Sequence, residues 1–223
     1  MGWKRGEPRS GLGPIRTGLA YGIAAVLVAL VSDLYFLFVN PASTEGWILA
    51  VIAQYRTRLA LAAILFVAIL AALRVRPTRL DPEVPYRSLL LRDGALAATL
   101  VAVMVGLALF LTTALQATLF DGAMRDYAKE ASPKIASYVN EVRDEIRARR
   151  VERGAPPEEV RDLPPPTRAG AVETTLQPPT LRDLGRSIAN FVLRAVLLGT
   201  LGGLVGLARG RSSPREGQKF PRE

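Results

Sequence analysis

The sequence predicts an all-α fold: an integral membrane four-helix bundle with an amphipathic extramembrane helix between its third and fourth spans. Three observations lead there. The apolar residues gather into four long blocks. The charged residues lie almost entirely between those blocks. Between the last two blocks, Ile135, Tyr138, Val139, Val142 and Ile146 recur at offsets of 3, 4, 7 and 11 residues, which is one face of a helix.

The first span covers about residues 15–40, after the basic stretch Lys4, Arg5, Arg9 and Arg16. It is longer than the ~7–15 apolar residues of a signal peptide, so it reads as an uncleaved anchor. Gly6 replaces the hydroxyl residue that myristoylation needs. The second span, 47–74, reaches the ~20 residues a crossing requires only if it extends back to Trp47, an interface anchor. That extension draws Gln54, Arg56 and Arg58 into the helix. The third span, 94–119, ends in the polar run Thr112, Thr113, Gln116 and Thr118. The fourth, 188–208, contains Asn190 and Arg194. Its pairs Gly199/Gly203 and Gly202/Gly206 have the spacing that lets membrane helices pack closely.

The boundaries expected are therefore 1–119 for the N-terminal tail and three spans, 120–187 for an extramembrane loop, 188–208 for the last span, and 209–223 for a basic tail. Within the loop, Ser132-Pro133 reads as a helix start. Glu145 and Arg149 form a favourable i,i+4 pair and Gly154 can end the helix. The prolines from Pro156 to Pro179 predict an extended linker over 155–179. Thr180 and Asp183 have capping-box-like spacing before the last helix.

Basic residues set the orientation. The N-terminal segment, the 74–94 loop and the tail together hold fourteen Lys and Arg against six acids. Loop 120–187 balances twelve of each. Both termini are therefore expected in the cytoplasm of a cell-membrane protein, with the loop outside. The same placement explains the net charge of +9 without nucleic acid.

The chain has no Cys and no His. That excludes disulfides, thiolate or imidazole metal sites, and Cys or His catalysis. No phosphate-binding or dinucleotide fingerprint is present. No catalytic, cofactor-binding or metal-ligating residue is assigned, and no cofactor is expected. What stands out is a candidate intramembrane polar cluster of Asp33, Gln54, Arg56, Arg58, Gln116 and Arg194. Counted along the helices at ~1.5 Å per residue, these side chains fall at one depth, near the outward face. A charge in hydrocarbon costs about 2.5–3.5 kcal/mol on insertion scales, so clustering is expected to offset it. Asp33 is the one acid inside a span and is the natural partner of Arg58 or Arg194.

The layout resembles the bacterial four-span membrane proteins grouped as domain-of-unknown-function family 4199. The residues that carry the resemblance are the polar end of span three (115–120), the charged helical stretch 131–160 with its Gly154, Pro156, Glu158, Glu159 turn, and the Gly-rich last span. The resemblance implies a membrane location and four helices, and no established activity.

The functional expectation is a non-enzymatic accessory or scaffolding protein. Its partners are the lipid bilayer and, through Ile135, Tyr138, Val139, Val142 and Ile146, a protein or a second copy. The alternative is a small transporter or channel using the polar cluster.

Overall fold

A computed structural model describes residues 13–77 and 84–211. Among the described residues the chain is helical without strands: α1 (Pro14–Asp33), a 3₁₀ turn (Tyr35–Leu37), α2 (Gly46–Arg74), α3 (Tyr86–Thr118), α4 (Asp121–Glu152), α5 (Pro157–Arg161), α6 (Ala169–Leu176) and α7 (Leu181–Arg211). Among the described residues, four segments are long and apolar enough to cross a membrane: Pro14–Asp33, Gly46–Arg74, Tyr86–Thr118 and Arg182–Arg211. The second does extend to Trp47, which is half exposed. The described residues divide into two compact units.

The first unit comprises residues 13–31, 60–77, 84–111 and 184–211. Its core is rich in alanine, with Ala25, Ala29, Ala68, Ala71, Ala97 and Ala98 beside Ile64, Val75, Val101 and Val105. Many of its large side chains point outward: Ile23, Leu27, Phe66, Leu107 and Leu197 are all more than half exposed. A water-soluble core inverts that order. In lipid there is no gain from hiding a Leu, so helices meet where small residues allow close van der Waals packing. The meeting of α3 and α7 is the tightest case. A Cβ on Gly94 would lie 2.7 Å from the Gly202 carbonyl oxygen and 3.4 Å from Gly206 Cα. A Cβ on Gly202 or Gly206 would strike Ala98 or the Leu90 carbonyl. Arg209 donates to the Val75 carbonyl at 2.6 Å, a C-terminal group of α2 that no further helical turn can satisfy.

The second unit comprises residues 32–59 and 112–183. It has its own core of Tyr35, Phe36, Leu49, Met124, Tyr127, Ala128, Ala131, Ile135 and Leu176. Three expectations are corrected here. The first span does not run as one helix to residue 40. α1 ends at Asp33, and the 3₁₀ turn carries Tyr35 and Phe36 into this core. The loop helix does not start at Pro133. α4 starts at Asp121 and holds Pro133 in its interior. A proline there forfeits one backbone bond, at roughly 3 kcal/mol. Burial of Met124, Tyr127, Ala128, Ala131 and Ile135 on one continuous face offsets it. Segment 155–179 is not a free linker, because it forms α5 and α6.

That Pro-rich segment is pinned to α4. Asn140 Nδ2 donates to the Thr167 carbonyl at 3.0 Å, and the Thr167 N–H donates back to Asn140 Oδ1 at 2.8 Å. Arg143 and Arg150 donate to the Pro164 and Glu159 carbonyls, each at 2.6 Å. Side chains of α4 thus supply the bonds that prolines cannot make among themselves. Leu176 is buried against the α4 core, worth about 1.5–3 kcal/mol. The sharp end of α4 uses Gly154 at φ 70°, a conformation that costs glycine little.

Candidate functional site

The C-terminus of α1 leaves carbonyl oxygens with no partner in their own helix. Two side chains from elsewhere in the second unit meet them, and a third meets the Asp33 side chain. Arg56 Nη1 on α2 donates to the Ser32 carbonyl at 3.2 Å. Gln116 Nε2 on α3 donates to the Asp33 carbonyl at 2.7 Å. One turn earlier on α3, the Thr112 hydroxyl donates to the Asp33 carboxylate at 2.8 Å. Thr112 and Gln116 are buried, at 1% and 7% exposed. Their i,i+4 spacing puts both on one face, so a single helix reads both the carboxylate and the carbonyl of one residue. A cation is also the favourable charge at a helix C-terminus.

The arginine lies on one ring of an aromatic cluster. Its guanidinium carbon lies 4.0 Å from the Tyr35 ring centroid, a cation–π arrangement. Tyr35 meets Tyr127 edge to face at 5.2 Å between centroids and 85° between planes. Phe36 stands at 88° to Tyr35, and Phe120 packs on Phe36. Among the described residues, Tyr35 Oη and Arg56 Nε are buried without a hydrogen-bond partner. Burial raises the Tyr35 hydroxyl above its usual range, against a smaller opposing pull from Arg56. Tyr127 is raised by burial first and by Tyr35 next, with Arg56 again opposing. Neither phenol is poised as a base near neutral pH.

A second feature of the same unit is a cradle of carbonyls. Lys134 Nζ on α4 donates to the carbonyls of Pro41 and Ala42, at 2.6 and 2.7 Å, with Thr44 at 3.4 Å. Asn40 organises this turn by accepting the Ala42 N–H at 2.9 Å and, through its own carbonyl, the Thr44 hydroxyl at 2.7 Å. A Cβ on Gly46 would sit 2.7 Å from the Lys134 carbonyl, so α2 begins in backbone contact with α4. Beside this turn, a cleft of about 310 Å³ is lined by residues 36–41 and by Ala123, Asp126, Tyr127 and Glu130.

The structure brings Asp33, Arg56 and Gln116 into one network. Gln54 and Arg58 are not in it. Both are exposed on the opposite face of α2, because residues two apart on a helix are turned about 200° from each other. Arg58 makes no ion pair among the described residues, and the Asp33 carboxylate accepts from a hydroxyl instead of the expected Arg58 guanidinium. Arg194 is a half-buried residue of α7 and belongs to the first unit. So do Gly199, Gly202, Gly203 and Gly206, which all meet α3 residues between Leu90 and Thr99. Of the predicted stripe on α4, Ile135 is buried, Tyr138 and Val142 are half-buried, and Val139 and Ile146 are exposed.

Sequence reasoning missed Tyr35, Tyr127 and Lys134. The aromatic run 35–38 directly after the last acid of span one was the available signal for a helix end with a core of its own. Nothing local marks Lys134, since its partners lie about ninety positions away.

The arrangement can fasten helices, with Arg56 held against the Tyr35 ring and the end of α1. It holds one acid, and no group of three or more acids with metal-ligand geometry occurs among the described residues. Comparison with known proteins gave no match: no family model, no curated protein and no solved structure is similar to the chain.

Proposed function

We propose that the chain is a multi-pass cell-membrane protein whose four spans associate as a bundle. We read it as a non-enzymatic accessory or scaffolding subunit that presents the α4–α6 segment to a partner. In this reading both termini are cytoplasmic and residues 120–187 are extracytoplasmic, as the positive-inside count indicates. The layout shared with the four-span bacterial family agrees with a membrane location and adds no activity.

One observation carries the reading. The polar side chains that meet at the end of α1 are engaged there: Arg56 bonds to the Ser32 carbonyl, Gln116 to the Asp33 carbonyl and Thr112 to the Asp33 carboxylate. The α4–α6 segment is instead elaborated, with pinned prolines and an exposed apolar edge at Val139, Ile146 and Val151. Exposed apolar residues on a charged helix suit a partner groove.

The chain has no cysteine, so the test needs no background changes. Ser43, Ser88 and Ser137 are exposed. Single Cys variants at these positions are expected to react with an impermeant thiol reagent in intact cells at Ser43→Cys and Ser137→Cys, and not at Ser88→Cys. Reaction at Ser88→Cys alone would reverse the topology. A photo-crosslinker on Ser137→Cys is expected to capture one discrete partner; uniform failure to capture any protein would remove the scaffolding role.

A further inference from the structure

The packing order reverses along α2. In its first turns the helix buries a large side chain, Leu49, in a core shared with Tyr35, Phe36, Met124, Tyr127 and Ile135. That is the order of a core formed in water, where hiding large apolar surface stabilises. In its later turns the helix buries Ala68, Ala71 and Ala72 together with Ile64, and turns Leu59, Leu61, Leu65 and Phe66 outward. Outward leucines suit hydrocarbon, where exposing them costs nothing. The solvent that α2 is built for therefore changes between Leu49 and Leu59. The outward face changes at the same place. It shows Gln54, Tyr55, Thr57 and Arg58, and then from 59 to 66 its exposed side chains are all apolar. Trp47, the interface anchor expected from the sequence, gives its indole N–H to the Glu45 carboxylate, so its polar tip is engaged within the chain.

Helix lengths agree. The 29 residues of α2 measure about 43 Å, against roughly 30 Å of hydrocarbon, so part of the helix must project. From Arg58 to Arg74 is about 24 Å, without a charge between them. The 20 residues of α1 measure about 30 Å and end at Asp33. Arg56 bonds to the Ser32 carbonyl, so α1 ends where α2 carries its arginines. On α3, Thr112 bonds to the Asp33 carboxylate and lies about 30 Å along the helix from the exposed Arg92. Counted along each helix, all three reach a hydrocarbon thickness at one layer: Asp33, Arg56 to Arg58, and Thr112.

We infer that the outer surface of the bilayer crosses α2 at Arg58, with the Arg58 guanidinium among the phospholipid headgroups. Arg58 is exposed and makes no ion pair among the described residues. A headgroup phosphate is the anion found at that level, and a guanidinium can give it two parallel hydrogen bonds. Residues 46–57 then stand on the aqueous side. The network of Asp33, Arg56 and Thr112 sits at the boundary and not inside the hydrocarbon, which lowers the cost of its charges. The part of the chain open to a partner becomes larger than loop 120–187. The inference rests on the membrane-spanning reading above.

The test uses the full chain, which has no cysteine, in nanodiscs of phosphatidylcholine. Nitroxide labels are placed singly at Val51→Cys, Tyr55→Cys, Leu61→Cys and Leu65→Cys, all exposed positions on α2. Collision with a water-soluble nickel chelate, and with oxygen that concentrates in lipid, locates each label. The nickel chelate is expected to dominate at Val51→Cys and Tyr55→Cys, and oxygen at Leu61→Cys and Leu65→Cys. Oxygen dominance at all four would return the boundary to Trp47 and overturn the inference. Exclusion of both relaxants from the two outer labels would give that face to a protein partner, and would overturn it too. Arg58→Leu should move the crossover outward by one turn, about 5 Å, so that the Tyr55→Cys label becomes oxygen-dominated. Arg58→Lys should leave the crossover in place. A crossover that Arg58→Leu does not move would overturn the headgroup contact. Nickel dominance at all four positions would overturn the membrane-spanning reading itself, a separate outcome from a misplaced boundary.

Discussion

Arg56 lies over the ring of Tyr35, 4.0 Å from guanidinium carbon to centroid, while its Nη1 donates to the carbonyl of Ser32. One side chain thereby closes a helix end and stacks on the residue that follows it. The favourable terms are the cation–π contact and the charge at a helix C-terminus. Together they give Arg56 a structural task that its neighbours on the same helix lack.

Replacing Arg56 by Gln is expected to destabilise the protein by about 2 kcal/mol, because it removes both interactions. Arg58→Gln changes an exposed side chain and should fall within about 0.5 kcal/mol of wild type. Thermal unfolding in one detergent compares the two. Equal melting temperatures would refute the capping role of Arg56.

Thr112 and Asp33 should behave as a coupled pair. Thr112→Val removes the hydroxyl at nearly constant shape and should cost about 1–2 kcal/mol. In an Asp33→Ala background the same change should cost much less, a coupling of roughly 0.5–3 kcal/mol. Asp162→Asn, an exposed acid in the pinned segment, is the neutral comparison. Additive effects in the double-mutant cycle would deny the bond a stabilising role.

Lys134→Met keeps the stem and deletes the ammonium that holds the Pro41 and Ala42 carbonyls. Charge-assisted bonds are worth about 1.5–3 kcal/mol each, and turn 40–45 has few other anchors. Faster amide exchange confined to this turn is expected, together with a lower melting temperature. An unchanged exchange profile would mean that the turn holds itself.

The glycines of α7 divide by surroundings. Gly202→Leu drives a side chain into Ala98 and the Gly94 backbone and should prevent stable folding. Gly185 has nothing within 4 Å of its Cβ position. Gly185→Ala should therefore stabilise the helix by up to about 1 kcal/mol. Detergent-solubilised yield and melting temperature read both.

The buried phenols predict a loss of stability in alkali. Their folded pKa values lie above the ordinary 10.0. The unfolded chain therefore ionises first as pH rises past about 10, and the folded state holds more protons there. Stability is flat below that pH and declines above it until the folded phenols also ionise. Tyr35→Phe should flatten the decline, as measured by melting temperature from pH 8 to 11.5. A wild-type profile that stays level through pH 11 would contradict the burial effect.

Arg56 and Arg58 show where sequence reading reached its end. Counting along a helix gives depth, and by depth Gln54, Arg56 and Arg58 lie within about 6 Å of one another. Azimuth separates them by about 200° per two residues, and which azimuth faces inward depends on neighbours far along the chain. The four apolar helices were legible because length and apolar composition are local properties, whereas of the predicted face 135–146 only Ile135 is buried. Pro133 misled because local propensity argues for a helix start. Tertiary burial of Met124 and Tyr127 carries the helix through it.

The sequence by itself determined that four segments are apolar enough to cross a bilayer, that Cys and His chemistry is absent, and that glycines of the last helix suit close approach. Each follows from residue type and spacing alone. Only the tertiary structure decided that the Pro-rich segment is pinned by Asn140 and Arg143, that Lys134 fills a carbonyl cradle, and that Asp33 bonds to Thr112. Hydrogen bonds are short-ranged and directional, so their partners are fixed by which faces meet, and no local pattern in the chain encodes that.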